Sequence, residues 1–158
     1  MVDMSKTRRR VTNPTQMTAM DKEAVVAVTC LTYASAEPQT KYKIGLKVGE
    51  IKTRAIYDND EIIQERKGVN IHTDELEEIL GRFVVELDYL QHDVEEQPGR
   101  QHDKNMYKVK DGKQEAFRSY IQEVYLENDH FKRESKLVLQ ELRDYIGVSP
   151  RSITQTVQ

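Results

Sequence analysis

The chain has no tryptophan, a single cysteine, four prolines, seven glycines and three phenylalanines in 158 residues. Each shortage excludes something. One cysteine, Cys30, rules out an internal disulfide framework. Few glycines and prolines argue against a fold made mainly of tight turns. An apolar fraction of 37%, with no tryptophan, gives a thin core for a chain of this length. The longest apolar stretch, Ala24 to Leu31, falls far short of the ~20 residues that span a bilayer. Arg8, Arg9 and Arg10 are followed by polar residues, so no secretory signal is read there. The expectation is an intracellular or virion protein, neither secreted nor embedded in a membrane.

Charge is abundant, at 32% of residues, and it is blocked. Residues 1–20 carry four cations against one acid, residues 41–67 seven against five, and residues 100–113 five against two. Residues 71–97 carry nine acids against one cation. Blocks of alternating sign favour oriented contacts between copies or with partners. Solvated helix faces are the plainer reading.

The pattern predicts a mainly α fold with one β-hairpin (α+β) in three parts. Residues 1–17 form a polar, basic arm, residues 18–147 a single helical domain, and residues 148–158 a tail or recognition helix. A helix is expected over 18–36, capped by Thr18 with Asp21 in its first turn. Its β-branched run keeps a strand as a competitor.

A hairpin is expected over 41–57. Tyr42, Ile44, Leu46 and Val48 alternate with Lys41, Lys43, Gly45 and Lys47, and Gly49-Glu50 suits a two-residue type II′ turn. One face would be apolar. The other would hold Lys41, Lys43, Lys47, Lys52 and Arg54. Those cations, with Arg8, Arg9 and Arg10, are candidates for contact with duplex DNA phosphates or with an acidic neighbour. The preferred reading is an arm against the acidic 71–97 segment of another copy.

A helix is expected over 73–97, capped by Thr73. Leu76, Leu80, Phe83, Leu87, Leu90 and Val94 step by four and three, the period of a coiled-coil seam offered to other copies. The same steps run from Phe117 to Tyr145. They imply one long helix over 113–146, or two that break near 127–130, with Asn128 and Ser135 as polar interruptions. The two seam helices are expected to pack as an antiparallel pair. Residues 99–112 read as a basic loop with an extended piece at 106–109.

No sequence pattern calls for a catalytic, cofactor or metal site. The four histidines show no ligand spacing, and no phosphate loop or nucleophile elbow is present. Cys30 is expected as a small buried hydrophobe.

At the C-terminal end, Gly147 follows a helix end, Ser149 suits a cap and Pro150 a first helical position. Leu139, Leu142, Ile146, Val148, Ile153 and Val157 are spaced as core positions. Over residues 139–158 the segment resembles the helix-turn-helix of bacterial repressors of the lac repressor class. It departs from that pattern at Arg143 and Thr156. The resemblance implies that Arg151, Ser152 and Gln155 face base edges. The other reading is an assembly arm, favoured because little chain follows Val157 to brace a second helix.

The expected function is a non-enzymatic, homo-oligomeric assembly subunit of a multi-subunit particle, of the virus or phage connector or neck type, contacting other particle proteins. A dimeric DNA-binding regulator is the alternative, and a small inhibitor of a host enzyme the third.

Overall fold

The computed structural model describes residues 17–99 and 104–147. The basic arm, including Arg8, Arg9 and Arg10, and the segment with Arg151, Ser152 and Gln155 lie outside the described residues.

The fold is organised around one helix, α1 (Ala19–Tyr33). Thr18 caps it: its hydroxyl accepts from the Asp21 amide at 3.0 Å, and the Asp21 carboxylate accepts from the Thr18 amide at 3.1 Å. These bonds satisfy two of the donors left open at a helix start. The β-branched run stays helical because it is buried on every side. Ala24, Val25, Val26, Ala27, Val28 and Cys30 are all fully inaccessible. A helix apolar all round belongs in the centre of a protein, not on its flank.

The chain then forms β1 (Gln39–Thr40) and α2 (Lys41–Val48), followed by β2 (Ile56–Asp58), β3 (Glu61–Gln64) and α3 (Thr73–Val85). Next come β4 (Leu90–Glu95), β5 (Lys104–Val109) and α4 (Gln114–Ile121), which runs into a π-helical turn over Gln122–Leu126. Helices α5 (Asp129–Glu134) and α6 (Leu139–Gly147) complete it. Strands β1, β5 and β4 form an antiparallel sheet in that order, and β2–β3 is a separate two-stranded ribbon. Helices α2, α3, α4 and α6 all pack on α1. The architecture is mainly α with β-hairpins, the expected class.

Three expectations about the elements are corrected. Residues 41–57 are not a hairpin, because 41–48 is helix. Thr40 accepts from the Lys43 amide at 3.0 Å, and Ile44 and Val48, four residues apart, bury against the core. An eight-residue stretch with apolar residues at every second position also satisfies that helical spacing. Gly49 has φ −67° and ψ −15°, an ordinary helical conformation and no type II′ turn.

The 73–97 helix stops at Val85. His72, not Thr73, caps it: its Nδ1 accepts from the Asp74 amide at 3.1 Å, and Glu75 accepts from the His72 amide at 3.2 Å. At the far end the Glu86 and Leu87 amides both donate to the Arg82 carbonyl, and Asp88 turns left-handed at φ 61°. The chain leaves as β4, which pairs with β5 from Leu90↔Val109 to Glu95↔Lys104. Tyr89 stacks on Phe117 at 4.9 Å and His92 on Tyr107 at 4.5 Å. Pairing across distant sequence thus overrides the heptad.

The 113–146 segment is broken, as its second alternative had it. Asn128 accepts from the Phe131 amide at 3.0 Å and starts α5. Ser135 caps its end and is buried. The expected antiparallel pair of long helices is replaced by short helices gathered on α1.

Candidate functional site

Residues 56–65, IYDNDEIIQE, carry four carboxylates and no cation. The turn is Asn59-Asp60, at φ 52° and 68°. Two consecutive positive φ angles make a type I′ turn, which Asn and Asp tolerate better than other side chains. Register runs Ile56↔Gln64, Tyr57↔Ile62, Asp58↔Glu61, with one extra residue, Ile63, bulged out of β3. The base is held firmly. The Thr53 amide donates to the Lys67 carbonyl at 2.8 Å, Val69 to Ile51 at 2.9 Å, and Arg54 to Leu137 at 3.0 Å.

Beyond that base the ribbon is exposed. Tyr57, Ile62 and Ile63 are 60%, 51% and 57% accessible. The Tyr57–Ile62 pair therefore meets water, where such a pair normally covers a core. Asp58 and Glu61 stand directly opposite each other, a like-charge pairing that weakens a ribbon. Among the described residues none of Asp58, Asp60, Glu61 and Glu65 has a basic partner. No described helix or strand packs extensively on the ribbon.

The second surface is the outer side of α2. With Ile44 and Val48 turned inward, Tyr42 and Leu46 are left 74% and 52% exposed. Lys43 and Lys47 run beside them, one helical turn apart. Lys47 lies over the Tyr33 ring, 4.6 Å from its centroid, and 3.4 Å from Glu50. No carboxylate among the described residues pairs with Lys43. Between α2 and the end of α1 lies an open cleft of about 360 Å³ lined by Tyr33, Gln39, Ile44, Leu46, Glu50 and both lysines.

The expected cations are thus dispersed. Lys43 and Lys47 flank this cleft, whereas Lys41 reaches Glu77 at 3.7 Å. Lys52 and Arg54 are exposed on the segment leading into the ribbon. The expected oligomer seam is corrected as well. Leu76, Leu80, Phe83 and Leu90 are buried in the chain's own core, Leu87 is half-buried, and only Val94 is exposed. The sequence reading missed Tyr57, Ile62 and Ile63. The signal was Asn59-Asp60 between strand formers.

Burial pushes the Cys30 thiol up to about 12, so it is protonated and inert at neutral pH. Glu23 joins three elements, meeting Arg82 at 2.6 Å and accepting from the Tyr125 hydroxyl at 3.2 Å. Among the described residues no group of three or more His, Cys, Asp or Glu side chains is placed to hold a metal. No described helix is long and apolar enough to cross a membrane. In α6, Leu142 and Ile146 are buried, and Arg143 donates to the Leu126 carbonyl at 3.0 Å.

No protein-family model, curated protein or solved structure matches this chain.

Proposed function

We propose that the protein is a non-enzymatic assembly subunit that associates with copies of itself in a multi-subunit particle, of the virus or phage connector or neck type. The observation that carries this reading is the Ile56–Gln64 ribbon. It presents Tyr57, Ile62 and Ile63 to water and sets Asp58 against Glu61. Each feature weakens an isolated ribbon, and a lone two-stranded ribbon is marginal in water. Local choices that oppose local stability are characteristic of functional surfaces. Neither feature contributes to a reaction centre, and both suit a protein partner. The blocks of opposite charge along the chain supply orientation, and a ribbon projecting from a helical body suits a subunit that reaches its neighbour.

The second reading, a dimeric DNA-binding regulator, draws on the helical state of Leu139–Gly147, where the resemblance places a first helix. One experiment separates the two. The mass of the full chain is measured in solution across concentration and salt, with and without duplex DNA. Concentration-dependent growth beyond a dimer, indifferent to DNA sequence, supports assembly. A dimer that binds one duplex site with steep salt dependence supports the regulator. A chain that stays monomeric throughout contradicts both.

A further inference from the structure

We infer that the acidic ribbon of one copy docks on the basic outer side of α2 in the next copy, so that the subunits join head to tail. This rests on the assembly reading and names its contact. The two surfaces match in chemistry and oppose in charge. The ribbon offers Tyr57 and Ile62 on one face, Asp58 and Glu61 on the other, and Asp60 at its tip. The helix offers Tyr42 and Leu46 beside Lys43 and Lys47, above an open cleft of about 360 Å³. Residues 56–65 hold four acids and no cation, and residues 41–48 hold three cations and no acid. Among the described residues neither Lys43 nor any of the ribbon's carboxylates has an oppositely charged partner in its own chain, whereas Lys41 pairs with Glu77 and Lys47 with Glu50.

The energetics divide between the two parts of each surface. Apolar burial of exposed Tyr, Ile and Leu side chains supplies most of the affinity. Rim ion pairs contribute less, but they select the partner and fix its orientation. The contact joins two different patches, so it is heterologous. Such contacts close into rings or run on as filaments and do not stop at a dimer.

Charge exchange tests this in the full chain. One variant carries Asp58→Lys, Asp60→Lys and Glu61→Lys, which leaves the ribbon net positive; the other carries Lys43→Glu and Lys47→Glu. Each alone faces like against like and is expected to associate at least about tenfold more weakly than the wild type. Mixed in equal amounts, each ribbon again meets a helix of opposite sign, and association returns as filaments or rings of even subunit number. That recovery also shows that both variants are folded. If each variant alone keeps the wild-type mass, or the mixture associates no more than the separate variants, this contact is wrong while assembly through another surface stands. A wild-type chain that is monomeric at every concentration removes the contact and the assembly reading together.

Discussion

Gly68 lies against the backbone of Gly49 so closely that a Cβ on residue 68 would stand 2.3 Å from the Gly49 carbonyl oxygen. Two stretches of main chain meet there, at the foot of the β2–β3 ribbon, where Lys52 also bridges Gly68. No side chain fits between them without moving backbone. Gly68→Ala is therefore expected to destabilise the protein by about 1–3 kcal/mol. Gly49→Ala, at a helical φ with its nearest contact at 3.3 Å, is expected to cost much less. Urea unfolding of the two variants checks the order, and equal costs would refute the close approach.

Gly81 behaves in the opposite way. It lies inside α3, and a Cβ there would meet nothing within 4 Å. Glycine in a helix interior costs about 0.5–1 kcal/mol relative to alanine through backbone entropy. Gly81→Ala should raise stability by about that amount, read as a higher urea midpoint with an unchanged slope. A loss of stability would mean that this side of α3 is covered.

Alkaline pH should destabilise the fold in a specific order. The Cys30 thiol ionises near its ordinary 9.0 when unfolded and only at about 12 when folded. Between those values the unfolded state binds fewer protons, so stability falls as pH rises; below about 9 the contribution is fully present. Burial pushes Tyr125 and Tyr145 in the same direction, from an ordinary value of 10. Cys30→Ala should therefore delay the decline until the tyrosines begin to contribute. Urea midpoints between pH 7 and 11 test this, and the idea fails if both proteins decline in parallel from pH 9.

The core was easier to read in the sequence than the surface. The burial of Cys30 and the Thr18 cap follow from residue chemistry within a turn or so of the chain, and the break at Asn128 is one of the two alternatives that the pattern leaves open. The seam from Leu76 to Val94 did not yield its structure, because four-and-three spacing fits a helix and Leu90 fits equally a strand paired to Val109. Only the distant partner decides between them. The Lys41–Val48 segment failed for a related reason: Ile44 and Val48 are compatible with both periods. The candidate site was half legible. Lys43 and Lys47 were marked by charge, whereas their position beside the Tyr33 cleft depends on how α2 packs on α1.

The ribbon itself should be separable from the core. A β-branched residue does not adopt the φ of 52° found at Asn59 without strain. Asn59→Val is expected to open the ribbon while leaving the helices intact. Amide exchange should then accelerate at Asp58 and Glu61, the pair that closes the turn, and stay slow from Ala24 to Leu31. Unchanged protection at Glu61 would show that the turn does not govern the ribbon.

The most direct measurement of the proposed contact is cross-linking between two singly labelled chains in a Cys30→Ala background. One chain carries Ile62→Cys on the ribbon and the other Leu46→Cys on α2. Head-to-tail docking predicts that a short bifunctional thiol reagent joins the two only when they are mixed, and that neither couples efficiently to itself. Self-coupling of the Ile62→Cys chain, or no product in the mixture while the wild-type chain is oligomeric, would contradict the account.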